Sequence, residues 1–282
     1  MINAMCWLIL VVVPTLGQRP NEADPTKNLL NQARAAAARG DVKAALQLAE
    51  QAITRHPKGA EPYAFRGSLL ASQHKPKEAV ADLSEAIALN PQWPELYHYR
   101  GQELFKLGKF TESAADFDKY LDARPSERPK HWQRGISCYY AGKFAEGAKQ
   151  FETYQALDSN DVENAVWRFL CQAKAEGIEK ARASLMKVGN DRRVPLMKIY
   201  DLFANKCEPT DVLSAAAKGH PSPEELQTRL FYAHLYLGLF FDTIRNPKPA
   251  LHHLTEAAKQ YEKHGYMGEV ARIHRERLVH DR

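Results

Sequence analysis

Residues 60–93 read AEPYAFRGSLLASQHKPKEAVADLSEAIALNPQW, residues 94–127 read PELYHYRGQELFKLGKFTESAADFDKYLDARPSE, and residues 128–161 read RPKHWQRGISCYYAGKFAEGAKQFETYQALDSND. The three segments register without a gap. Gly67, Gly101 and Gly135 fall in step, 34 residues apart, and residues 26–59 fit in front of them in the same frame. With that glycine as position 8, position 8 is always small (Ala33, Gly67, Gly101, Gly135). So is position 20 (Ala45, Ala79, Ser113, Gly147), and position 32 holds Pro57, Pro91 and Pro125. A fixed period of this length marks one supersecondary unit repeated, which buries its apolar face only by stacking on its neighbours.

The spacing explains itself physically. Small residues at 8 and 20 allow two helices to approach closely. Apolar residues fill the rest of the seam: Leu83, Phe117 and Phe151 at position 24, Phe110 and Phe144 at position 17. Gly40, Gly108 and Gly142 stand where the first helix must stop, and glycine tolerates the positive φ of such an end. Proline at position 32 cannot continue the second helix. These segments resemble the tetratricopeptide repeat (TPR) family. The resemblance implies an all-α, right-handed helical-repeat solenoid, and a binding scaffold rather than an enzyme.

Beyond residue 161 the pattern decays. Residues 162–188 read as a worn pair with Phe169 in place of the position-8 glycine. Residues 189–230 hold short helical pieces between loop signals at Gly189-Asn190-Asp191, Pro209 and Pro221-Ser222-Pro223. Ser222 before Pro223-Glu224-Glu225 predicts a capped helix start. The pattern returns at 231–264, with Gly238 at position 8, Ala250 at 20 and Leu254 at 24, and a charged final helix over about 269–279 is expected to cap the stack. The expected organisation is therefore a signal segment at 1–17, four regular repeats at 26–161, degenerate repeats at 162–230, a C-terminal repeat at 231–264 and a capping helix and tail at 265–282. No Ser/Gly-rich hinge interrupts it, which favours one continuous solenoid.

The chain has 282 residues, 44% hydrophobic, with a net charge of +5. Acids alternate with bases in most helices, so the charge reads as solvated faces and no nucleic-acid partner is expected. Residues 1–17 (MINAMCWLILVVVPTLG) lack charge and carry an apolar run from Cys6 to Val13. That run is far short of the ~20 residues a spanning helix needs. It reads as a secretory signal cleaved near Gly17, giving an exported protein, periplasmic or secreted, without stable membrane insertion. Cys138, Cys171 and Cys207 show no metal spacing; a Cys171–Cys207 bridge is left open.

In the TPR family, positions 2, 5, 9, 12 and 13 of the first helix of each unit line a concave groove. Carried onto this chain, the resemblance implies a peptide-binding groove at His98, Gln102, Phe105 and Lys106, and at Trp132, Ile136, Tyr139 and Tyr140. Aromatic anchors there suit peptide capture; the competing reading packs the same rings in the stack. An arginine ladder at position 7 (Arg66, Arg100, Arg134, Arg168) is expected to pair with acids at position 23, such as Asp82 and Asp116. His252, His253, His264, His274 and His280 read as surface histidines. His252 and Glu256 share a helix face without a third ligand, so no metal and no cofactor is expected. Patterns such as HExxH, GxSxG, GxGxxG and the P-loop are absent. Residues 231–258 (FYAHLYLGLFFDTIRNPKPALHHLTEAA) also resemble the last repeat of exported bacterial TPR lipoproteins of the new-lipoprotein-I type. That resemblance implies an adaptor; the lipid-acceptor cysteine of that type is missing here. Three functions are thus in play: an exported adaptor for a protein or peptide, an oligomerising element without a dedicated ligand, and a metal-dependent enzyme using the C-terminal histidines.

Overall fold

The computed structural model describes residues 25–280. The expected signal segment and its cleavage site lie outside them. The described residues form helices and no strand, and none of these helices is long and apolar enough to cross a membrane. The described residues divide into two compact units between Leu107 and Gly108. The boundary falls inside the third sequence repeat.

The first unit contains α1 (Pro25–Ala38), α2 (Val42–Arg55), α3 (Ala60–Ser72), α4 (Pro76–Leu89) and α5 (Pro94–Lys106). Successive helices pack against one another, α1 on α2, α2 on α3, α3 on α4 and α4 on α5. Alanine at the close positions lets them do so: Ala33, Ala45, Ala49, Ala52 and Ala79 are fully buried. At Gly67 an added Cβ would lie 3.1 Å from Cγ of Leu83, so position 8 packs against position 24 within the unit.

The second unit contains α6 (Phe110–Ala123), α7 (Trp132–Tyr140), α8 (Phe144–Tyr154), α9 (Val162–Glu176), α10 (Ile178–Ala183), α11 (Leu196–Phe203), α12 (Pro209–Ala217), α13 (Pro223–Thr243), α14 (Pro247–Ala258) and α15 (Gly265–His280), with 3-10 turns at Pro125–Lys130 and Tyr261–His264. The 8-to-24 rule is stricter here. A Cβ on Gly135 would fall 2.5 Å from Cζ of Phe151, and one on Gly238 2.5 Å from Cγ of Leu254. Helix α13 is longer than the repeat frame predicts. Ser222 accepts from the Glu225 N–H at 3.2 Å, and nothing between Pro223 and Phe231 breaks the helix, so it starts two turns early. Gly177, with φ +96°, ends α9, and the worn segment then yields only six residues of α10 before irregular chain at 184–195.

Position 7 does pair with acids, but the recurring partner is position 25 of the preceding repeat. Arg66 bonds Glu50, Arg100 donates to Ser84 Oγ at 3.1 Å, Arg134 to Asp118 at 2.6 Å and Arg168 to Glu152 at 2.9 Å. Asp82 at position 23 also accepts a two-pronged bond from Arg66, both contacts at 2.7 Å. Each arginine thus ties the second helix of one repeat to the first helix of the next, a planar, charge-assisted link.

The three cysteines of the described residues are free thiols. Cys138 and Cys171 are buried and Cys207 is partly exposed, so the Cys171–Cys207 bridge left open above is not formed.

Candidate functional site

In the first unit, Ala64 and Ser68 on α3 and His98, Gln102 and Lys106 on α5 are half-exposed. Gln102 donates to Nε2 of His98 at 3.0 Å. Burial holds the His98 imidazole down at about 4, against the pull of Glu95, so it is neutral at pH 7 and accepts that bond. Lys106 pairs with Glu103 at 2.5 Å. Phe105 is fully buried and serves packing.

In the second unit, Ile136, Tyr139 and Tyr140 on α7 are buried, and Trp132 is half-exposed. Their cover is the capping helix. Tyr266 of α15 meets Trp132 edge-on, with ring centroids 5.1 Å apart. His274 of α15 lies 2.9 Å from the Tyr140 hydroxyl, and the Arg277 guanidinium stands over the Tyr140 ring at 5.4 Å. The groove positions of α7 do look toward a common space, and the chain's own α15 fills its middle. Four of the eight expected groove side chains are therefore core: Phe105, Ile136, Tyr139 and Tyr140.

Two cavities border α15, one near its start at Met267 and one farther along at His274 and Arg277. One, of about 350 Å³, lies at positions 12 and 13, between Tyr139, Tyr140, Lys174, Asp242, His274 and Arg277. Asp242 accepts from Lys174 at 3.0 Å and lies 3.5 Å from His274 Nε2; burial pushes its carboxyl up, but the His274 N–H and the Lys174 ammonium outweigh that and hold it well below the usual range.

The other, of about 230 Å³, lies at positions 2 and 5. Trp132, Phe151, Tyr154, Trp167, Tyr232 and Met267 form its apolar walls; Asp161, Glu163, Asn164 and Arg193 form its polar wall. Asp161 caps α9, accepting from the N–H groups of Glu163 and Asn164 at 2.9 and 3.3 Å, which fixes the carboxylates at the helix start. Arg193 reaches in from the 184–195 segment and is shared by Asp161 at 3.0 Å, Glu163 at 2.7 Å and Asp191 at 2.6 Å. The Tyr236 hydroxyl donates to Glu163 at 2.7 Å. Burial pushes the Glu163 carboxyl up, opposed by Arg193 and Tyr236. Two buried polar atoms of the lining residues have no partner, Nε1 of Trp167 and Oδ1 of Asn164.

Sequence reasoning missed this polar wall. Glu163 and Tyr232 both occupy position 2 of their repeats, so the groove rule reaches them. Arg193 sits in non-periodic chain and carries no such signal. The histidines also differ from expectation. His253 is buried against His234, their Nδ1 atoms 2.9 Å apart, His274 is buried, and His264 stacks on Phe231 with centroids 3.7 Å apart. Among the described residues no three His, Cys, Asp or Glu side chains are placed to hold a metal ion.

The tetratricopeptide repeat family model matches residues 30–94, 66–128 and 98–162. No curated protein matches the chain. Among solved structures, a tetratricopeptide repeat protein from Parabacteroides merdae superposes with a TM-score of 0.58 at 14% identity, covering 91% of this chain and 100% of its own. A MamA crystal structure gives 0.53 at 12% identity, covering 71% and 99%. MamA from Desulfovibrio magneticus RS-1 gives 0.51 at 16% identity, covering 57% and 91%. Likenesses at such low identity speak to the fold.

Proposed function

We propose, from the premise that residues 30–162 belong to the tetratricopeptide repeat family, that this chain is a non-catalytic scaffold that holds a protein or peptide partner. The observation that carries the reading is the half-exposed first-helix face of α3 and α5. There the backbone is regular, the seam residues are buried elsewhere, and Ser68, His98, Gln102 and Lys106 present a polar surface of fixed spacing. A neutral imidazole, a carboxamide and an ammonium offer hydrogen bonds to backbone amides and carboxylates. Trp132, half-exposed in the second unit, is the aromatic anchor that the remaining groove positions offer. Export is part of the same reading, supported by the short apolar run Cys6–Val13; N-terminal sequencing of protein from the native host tests it, with a mature start near Gln18 expected and an intact Met1 on cytosolic protein against it.

The scaffold is tested by photocrosslinking. A crosslinking residue at position 102 should label a defined partner in native extracts, whereas one at the exposed Glu85 on α4 should not. Equal labelling at both positions, or labelling that survives a folded His98→Ala/Lys106→Glu variant, overturns the assignment of this face.

A further inference from the structure

The 230 Å³ cavity between α7, α8, α9, α13 and α15 is built differently from the open face on α5. Aromatic rings supply most of its wall. The polar wall carries excess negative charge, because Asp161, Glu163 and Asp191 share the single guanidinium of Arg193. The hydroxyls on two other walls feel the same field. Burial raises both Tyr154 and Tyr232, and the carboxylates of Asp161 and Glu163 raise them further while Arg193 opposes. Aromatic faces and an anionic wall together attract an organic cation, through the ring quadrupole and through Coulomb attraction in a partly dry site.

Two unpaired atoms narrow the ligand. Asn164 is 5% exposed; its amide nitrogen donates to the Phe151 carbonyl at 2.8 Å, and its Oδ1 has no donor. Trp167 is 2% exposed, and its indole N–H has no acceptor. Buried polar groups left without partners are costly, so a ligand that supplies both an N–H donor and a carbonyl acceptor gains twice. The volume is below the ~300–1,000 Å³ of a site for a whole small molecule, and suits one long side chain. We infer that this cavity accepts a lysine or arginine side chain of a bound peptide, the cation lying among the rings toward the Glu163 wall and a carbonyl of the same peptide meeting Trp167. The inference rests on the scaffold reading and gives it a side-chain preference.

Trp132 and Trp167 both line the cavity, so tryptophan emission reports occupancy. The test titrates the full chain with capped tripeptides, acetyl-Gly-Xaa-Gly-amide, where Xaa is Lys, Arg, Gln or Glu, and with butylammonium and butylguanidinium chlorides. The Lys or Arg peptide should quench or shift the emission at concentrations about tenfold or more below the Gln peptide, and the Glu peptide should bind worst. The free cations should bind more weakly than the peptides, because they leave the Trp167 N–H unpaired. Tyr154→Ala, at a half-exposed position, should weaken the cationic peptides about five- to tenfold, and Glu163→Gln should shrink their advantage over Gln. Equal binding of Gln and Lys peptides, no response to cationic peptides by folded wild type, or a Tyr154→Ala variant that binds unchanged would overturn the assignment. Free cations that match the peptides would overturn its peptide part. If Glu163→Gln does not fold, the wild-type peptide series still decides. Crosslinking at position 102 that persists while every tripeptide fails removes this cavity and leaves the scaffold standing.

Discussion

The hydroxyl of Tyr140 lies 2.9 Å from Nδ1 of His274, although 134 residues separate them in the chain. With its proton on Nε2, the imidazole points that N–H toward Asp242, 3.5 Å away, and accepts from the phenol. Burial lowers the His274 pKa while Asp242 raises it, and burial wins. The contact joins α7 to α15 through neutral groups.

That arrangement sets a pH dependence. His98, His253 and His264 are held at about 4, each chiefly by burial, and His274 is lowered as well. A histidine whose folded pKa lies below its unfolded value of about 6.5 contributes stability above that pH, and the contribution is lost as pH falls toward the folded pKa. The unfolding free energy from urea titration should be flat above pH 7 and fall between pH 6.5 and 4, by about 1 kcal/mol by pH 5.5 for each of His98, His253 and His264, with His274 adding in the same direction. An unfolding free energy unchanged from pH 7.5 to 5 contradicts these burials.

Gly135→Ala should destabilise. A helical glycine replaced by alanine gains about 1 kcal/mol in propensity. At Gly135 the new Cβ meets three ring atoms of Phe151 at 2.5–3.0 Å, and overpacking of that kind costs about 1–3 kcal/mol. At Gly67 the nearest atom is 3.1 Å away, so gain and cost should nearly cancel. Thermal melting of the two variants should therefore diverge, with Gly135→Ala the lower.

Ser84→Asp should stabilise. It places an acid where Asp118 and Glu152 stand in later repeats, beside the Arg100 guanidinium that now reaches the Ser84 hydroxyl at 3.1 Å. The gain should be about 0.3–1 kcal/mol and should shrink at 1 M salt. A salt-independent change would mean the ion pair is not its source.

Thiol labelling of folded protein should find Cys207 and spare Cys138 and Cys171. The latter two are fully buried, and burial pushes the Cys138 thiol up to about 11. Mass spectrometry after brief maleimide treatment, with tryptic mapping, checks this; rapid labelling of Cys171 would show that α9 is not packed on α8 as described.

Much of this was legible in the sequence, because the repeat converts packing into period. Gly67 with Leu83, Gly135 with Phe151 and Gly238 with Leu254 are the same contact read three times. The arginine pairing with position 23 was legible and is made by Arg66 and Asp82, but two further periodic signals went unread. The polar residues at position 25 (Glu50, Ser84, Asp118, Glu152) recur with the arginines and are partners as well. Position 23 (Asp82, Asp116, Gln150, His253) is a buried polar slot, which moves His253 from the surface to the interior. What stayed hidden is non-periodic. Nothing in the 184–195 segment announces that Arg193 will enter a cavity. Nothing local says that Tyr266 and His274 will cover α7, since that contact depends on how the intervening helices place α15.

The position of α15 has a consequence for the order of events during synthesis. Met267 walls one cavity and His274 the other, and both belong to a helix translated long after α7. A ribosome-bound chain that has emitted α7, α8 and α9 carries the rings and the carboxylates but no closing wall. Both cavities of the second unit are thereby closed only after α15 has been made, and a chain that stops before Gly265 lacks the Met267 and His274 walls while keeping the face on α3 and α5.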